Sequence, residues 1–138
     1  MSVYQLKSRF QNLLRPLVVQ LAAKGVTANQ VTIAAALGSI ALGAFLSLNG
    51  NPIWFALVPV WLFLRMALNA VDGMLAREHG QKSVLGAYLN EIGDVISDAA
   101  LYAPFAIIAP FSALWIFAII FIATLTEFVG VTAASLGS

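Results

Sequence analysis

Apolar positions follow two different rhythms along the chain. In the first two dozen residues Leu6, Phe10, Leu13, Leu14, Leu17, Val18 and Leu21 recur at three- and four-residue steps. Ser8, Gln11, Asn12 and Arg15 fall largely on the other side. That period predicts an amphipathic helix over residues 3–24. Its basic polar face and modest hydrophobicity suit the headgroup plane of a membrane rather than its interior. Pro16 is expected to kink or restart this helix, Gly25 to end it, and Thr27 or Asn29 to cap the next.

Beyond residue 28 the pattern becomes one of long apolar runs, at about 29–49, 53–77, 84–108 and 111–135. Each is close to the roughly 20 residues that a bilayer core requires. "NGNP" at 49–52 and Pro110 mark turns, and the polar connection "EHGQKS" at 78–83 has Gly80 at its centre. Pro104 falls inside the third run, where it is expected to kink a helix. The pattern predicts an all-α integral membrane protein: an interfacial helix, then a transmembrane bundle of about four helices over 29–135, in a single domain spanning 1–138.

Composition strengthens this picture. Hydrophobic residues make up 61% and charged residues 9% of the chain, against roughly 25% charged in soluble domains. With no cysteine, a disulfide framework, a thiolate metal site and a cysteine nucleophile are excluded. Lys7, Arg9, Arg15 and Lys24 interrupt the N-terminal segment, so it does not read as a cleavable signal peptide. These cations precede the first run, Arg77 and Lys82 flank the 78–83 loop, and the loops near 50 and 110 carry no charge. That asymmetry predicts a cytoplasmic N-terminus, 78–83 loop and C-terminal end.

Charge is also concentrated where it is least expected. Residues 69–98 hold five of the six acidic residues: Asp72, Glu78, Glu91, Asp94 and Asp98. An ionised group in hydrocarbon costs at least about 2.5–3.5 kcal/mol, so such groups usually face a cavity, a partner or a metal. Helical spacing puts Arg65, Asn69, Asp72 and Ala76 on one face of the second run, and Gly86, Asn90, Asp94 and Asp98 on one face of the third. These two runs are expected to form an antiparallel hairpin. Carboxylate and carboxamide oxygens suit Mg²⁺, Mn²⁺ or Ca²⁺, whereas His79 alone cannot build a histidine zinc site. No Walker-type glycine loop is present.

Other readings of the same residues stand beside that one. The acids could line an ion or proton path, and Asn69 and Asn90 could simply hydrogen-bond between helices. Gly73, Gly86 and Gly93 could serve close packing. Glu78 and Glu91 read as solvated acids, and Trp54, Trp61 and Trp115 as interface anchors or lipid-facing packing. Glu127, inside the fourth run, calls for a functional or paired role. Arg65 is expected to pair with Asp98, because each lies twelve residues from the cytoplasmic end of its helix, about 18 Å deep at 1.5 Å per residue. Asp98 could instead drop into the metal site.

The stretch Asn69-x2-Asp72-Gly73-x2-Ala76-Arg77-x8-Gly86-x3-Asn90-x3-Asp94 resembles the signature of the class-I CDP-alcohol phosphotransferases, in which aspartates stand at the first and third acidic positions. Every spacing agrees, and only Asn69 and Asn90 depart. "VTANQVT" at 26–32 is similar to the family's Thr-Pro-Asn-x-x-Thr approach to its first span, with Ala28 in place of proline.

The resemblance implies transfer of a phosphatidyl or related phosphoryl group from a CDP-linked lipid to an alcohol, with release of CMP, in phospholipid biosynthesis. By that resemblance Asn69, Asp72, Asn90 and Asp94 would hold one or two Mg²⁺ or Mn²⁺ ions. Asp94 would also be the catalytic base, and Gly73, Ala76, Arg77 and Gly86 would meet the cytidine diphosphate. Implied partners are the CDP-lipid donor, the alcohol acceptor, membrane lipids and a second copy of the chain, with no nucleic acid. The implied location is a bacterial inner membrane, with the site on the cytoplasmic side. With two acids neutralised, a non-catalytic member that binds CDP-lipid or a partner is the second reading. The family fold has six spans, so residues 1–138 are expected to be a domain incomplete at its C-terminus.

Overall fold

Capping chemistry sets where the helices begin and end. In the computed structural model, which describes residues 3–137, helix α1 runs Val3–Ala23 and gives way at Gly25, with φ +76°. Met1, Ser2 and Ser138, the ends of the predicted domain, lie outside the described residues. Thr27 rather than Asn29 caps α2 (Ala28–Asn49). Its hydroxyl accepts the Gln30 amide at 3.2 Å, and the Gln30 carboxamide accepts the Thr27 amide at 3.0 Å. Gly50 closes α2 in the left-handed region. Asn51 then caps a 3₁₀ turn, Pro52–Ala56, that leads into α3 (Leu57–Glu78). Ser83 caps α4 (Val84–Tyr102) by accepting the Gly86 amide at 2.9 Å. Helix α5 spans Ala113–Ser135.

The two prolines expected to disturb a helix behave differently. Pro16 does not restart α1, which runs through it; Val18, fully buried, with Leu14 and Leu21, packs onto α2 and α3 and offsets the one missing hydrogen bond. Pro104 does end α4, six residues before the predicted limit of 108, in a 3₁₀ turn at Ala103–Ile107. Without an N–H, Pro104 leaves the Ala100 carbonyl with no helical donor. That carbonyl oxygen sits where a Cβ on Gly43 of α2 would be, so the two backbones meet there.

Among the described residues, three helical stretches are long and apolar enough to cross a membrane: Ala28–Asn49, Pro52–Glu78 and Ala113–Ser135. The predicted count was about four. The difference is α4, shorter than its apolar run and carrying Glu91, Asp94 and Asp98. The protein is an all-helical integral membrane protein in which α4 owes its place to its neighbours, α2 above all.

Packing is organised around α2. Its buried residues include a run of small side chains, Ala28, Thr32, Ala35, Ser39 and Gly43, at three- and four-residue steps, which lets both α3 and α4 approach. Trp61, expected to face lipid or an interface, turns inward over Gly38 and donates its indole N–H to Ser39 Oγ at 2.9 Å. One apolar cluster joins Val18, Ala28, Val31, Val71, Met74 and Leu75. A second, at the far end, joins Leu46, Phe55 and Val58 with Phe105 and Ile108 against them. Polar residues of α3 and α4 lie between these clusters. Helix α5 packs on α4 and the 3₁₀ turn after it, with Phe117, Phe121 and Phe128 exposed around its surface, as suits a lipid surround.

Candidate active site

The signature residues meet across a gap rather than across a helix seam. Helices α3 and α4 each pack on α2 and barely touch one another through their backbones, so the predicted hairpin is splayed. The space between them is a cavity of about 860 Å³ at the end of the bundle where α3 finishes and α4 begins. Asn69, Asp72, Gly73, Ala76 and Arg77 line it from α3, and Gly86, Asn90 and Glu91 from α4. Asn29 and Thr32 contribute from α2, and Gln81, Lys82 and Ser83 from the connection. Seven of the eight residues singled out in the sequence therefore line one cavity. The eighth, Asp94, lies one turn deeper on α4.

Two of the three glycines singled out have a local reason. A Cβ on Gly86 would lie 2.8 Å from Asn29 Oδ1 and 2.9 Å from Ser83 Oγ, so glycine lets the start of α4 meet the start of α2. A Cβ on Gly73 would lie 3.0 Å from Arg77 Nη1; its absence lets the guanidinium fold back over the preceding turn. Gly93 is different, with only ordinary contacts to Thr32 and Ala36.

Asp72 is 6% exposed, and its Oδ2 accepts from Thr32 Oγ1 at 2.8 Å. Asn69, itself part of the cavity lining, donates its Nδ2 to Asp94 Oδ1 at 3.3 Å. The same Asp94 oxygen accepts from Arg65 Nη2 at 2.6 Å, while Arg65 Nη1 reaches Asp98 Oδ1 at 2.5 Å. The expected Arg65–Asp98 pair is present, and Asp94 joins it. Asp98 is thereby held by the guanidinium and does not enter the cavity's lining. Glu127 shares a small pocket with Asp98, Tyr102 and Thr124, and among the described residues no ion pair reaches it.

Several contributors had no signal in the local pattern. Gln81 accepts the Ala28 amide at 2.6 Å and donates to the Val26 carbonyl at 3.3 Å, tying the α3–α4 connection to the start of α2. Lys82 brings a second cation to the cavity wall beside Arg77. Glu91, expected to be solvated, is exposed but also lines the cavity. Glu78, likewise expected to be solvated, accepts from Arg15 Nη2 at 2.9 Å and from Arg15 Nε at 3.1 Å, which pins α1 to the end of α3. That carboxylate holds the Arg15 guanidinium above its ordinary pKa.

The donor set fits a hard divalent cation. Asn69, Asp72 and Asn90, all with oxygen-bearing side chains, line one cavity, and Glu91 adds a carboxylate to its wall. Among the described residues no group of three or more histidine, cysteine, aspartate or glutamate side chains is placed to hold a metal. A bound ion would therefore rely on carboxamide oxygens.

Residues 25–136 match the family described as CDP-alcohol phosphatidyltransferase. The chain is 50% identical to the inner membrane protein YnbA of Escherichia coli, over 99% of this chain and 68% of that protein. It is 33% identical to the phosphatidylinositol phosphate synthase of Streptomyces avermitilis, over 71% of this chain and 39% of that protein. No solved structure matches.

Proposed function

The chain belongs to the CDP-alcohol phosphatidyltransferase family, and on that premise we propose that it transfers a phosphatidyl or related phosphoryl group from a CDP-linked lipid to an alcohol. The observation that carries this reading is the single cavity lined by Asn69, Asp72, Gly73, Ala76, Arg77, Gly86 and Asn90, with Asp94 hydrogen-bonded to one of its walls. In the reaction the alcohol oxygen bonds to the lipid-bearing phosphorus, the bond from that phosphorus to the bridging oxygen breaks, and CMP leaves. Arg77, whose planar fork suits phosphate oxygens, and Lys82 neutralise the diphosphate. Gly73, Ala76 and Gly86 leave room for cytidine against the helix backbones.

Asn69, Asp72 and Asn90 would hold Mg²⁺ or Mn²⁺, one ion or two, and the bound cation supplies charge stabilisation to the transferring phosphoryl group. Asp94 takes the alcohol proton. We place the protein in a bacterial inner membrane, with the cavity, the N-terminus and the 78–83 loop at the cytoplasmic face, because Lys and Arg gather at that end. A second copy of the chain is a further proposed partner.

A second reading has its own observation: Asn69 and Asn90 reduce the charge offered to cations, which favours a protein that binds CDP-lipid without turnover. The two separate in one experiment on the protein in lipid nanodiscs, given labelled CDP-diacylglycerol, Mn²⁺ and a panel of alcohols and their phosphates. CMP release that depends on one alcohol is the expected result. Saturable CDP-lipid binding without CMP supports the second reading, and neither binding nor release overturns both.

A further inference from the structure

Arg65 holds more acid than a structural ion pair needs. It sits four residues before Asn69 on α3 and is only 9% exposed. One arm reaches Asp98 Oδ1 at 2.5 Å; the other reaches Asp94 Oδ1 at 2.6 Å and the Asp94 carbonyl at 3.3 Å. One carboxylate would neutralise the guanidinium. Taking a second leaves a negative charge in excess at a depth where charge is costly. Asp98, one turn beyond Asp94, anchors the far arm and so fixes the near one.

The consequence falls on Asp94. Its Oδ1 receives Arg65 and also Asn69 Nδ2 at 3.3 Å, both from α3. A cation approaching that oxygen would share it with a guanidinium, and the two positive charges repel. Asp94 is also absent from the cavity lining, to which Asn69, Asp72 and Asn90 belong. We propose that Arg65 is a positioning residue that keeps Asp94 out of the cation's donor set and reserves it for the incoming alcohol. The proposal rests on the phosphatidyl-transfer reading above for Asp94's role, and on geometry alone for its separation from the cation donors.

The test uses the protein in nanodiscs, with Mn²⁺ affinity read by electron paramagnetic resonance and CMP release measured in parallel. The variants are R65M/D98N, which removes the guanidinium together with its anchor, R65K, and D98N alone. With Asp94 released toward the cation, R65M/D98N should bind Mn²⁺ about tenfold more tightly, while kcat falls about tenfold or more and KM for CDP-lipid stays within about twofold. D98N removes the anchor but keeps the Arg65–Asp94 contact, so it should shift both quantities in the same direction as R65M/D98N and by less. A merely structural pair would not tighten Mn²⁺ binding on removal, so unchanged or weaker affinity in R65M/D98N overturns the proposal, as does the lack of any Mn²⁺ binding. If the double variant does not fold, R65K decides. Its single ammonium cannot span both carboxylates, so tighter Mn²⁺ binding supports the proposal and unchanged or weaker binding sinks it. If wild type releases no CMP with any alcohol, the transfer reading fails, and the Mn²⁺ comparison still decides where Asp94 points.

Discussion

Asparagine at positions 69 and 90 keeps an oxygen donor and drops a charge, but the two positions are not equivalent. Asn90 lines the cavity from α4 and, among the described residues, makes no side-chain hydrogen bond, whereas Asn69 donates to Asp94. Asn90→Asp is therefore expected to tighten Mn²⁺ binding about tenfold, the gain of one added anionic ligand. Asn69→Asp sets two carboxylates against each other, and the variant should melt lower than wild type without metal and recover when Mn²⁺ is added. Thermal unfolding with and without the ion checks this, and equal losses in both conditions would count against it. Arg77→Lys keeps the charge and loses the fork, so CDP-lipid should bind about tenfold more weakly, equivalent to about 1.4 kcal/mol; unchanged affinity in a titration would remove Arg77 from the site. These residues were legible because the signature fixes them at set spacings along two helices. Thr32 with Asp72 and Gln81 with Ala28 are contacts across forty and fifty-three residues, and no local period encodes a bond between distant turns.

At the scale of helices, the close approach of α2 to α4 gives a sharp prediction with its own control. A Cβ on Gly43 would overlap the Ala100 carbonyl oxygen, and neither partner is a flexible side chain that could move aside. Gly43→Ala should destabilise the protein by about 1–3 kcal/mol, the usual cost of overpacking. Gly130→Ala in α5, where nothing lies within 4 Å, should be neutral or slightly stabilising. Thermal unfolding of the two variants in one detergent compares them directly, and equal shifts would mean the helices do not meet as described. The helices themselves were readable from their apolar runs, since length and period survive any tertiary arrangement. Their partners were not. Trp61 carries the composition of an interface anchor, yet the hydroxyl of Ser39 and the bare face of Gly38 draw it inward. The splayed α3–α4 pair follows from the small face of α2, which offers both helices a closer neighbour than each other.

For the whole molecule, orientation is the property that the charge pattern predicts. The chain has no cysteine, so single-cysteine variants report cleanly. His79→Cys, beside the cavity, should react with a membrane-impermeant thiol reagent only in inside-out vesicles. Ser112→Cys, at the start of α5 where no side-chain cap bond is lost, should react only from the outer face of intact cells. Labelling of both from one side would refute the proposed topology. The Gln81 contact adds a property that belongs to no single helix. Its carboxamide accepts from one backbone group and donates to another, as a peptide unit does, so the 79–83 connection is stitched to the start of α2 as if by one extra residue of main chain. The Ala28 amide is then a built-in hydrogen-exchange probe: its proton can be lost only when the stitch opens, and its exchange rate counts how often the cavity's rim comes apart. Slower exchange with CDP-lipid bound would mean that the donor closes the rim behind it, and faster exchange that it wedges the rim open.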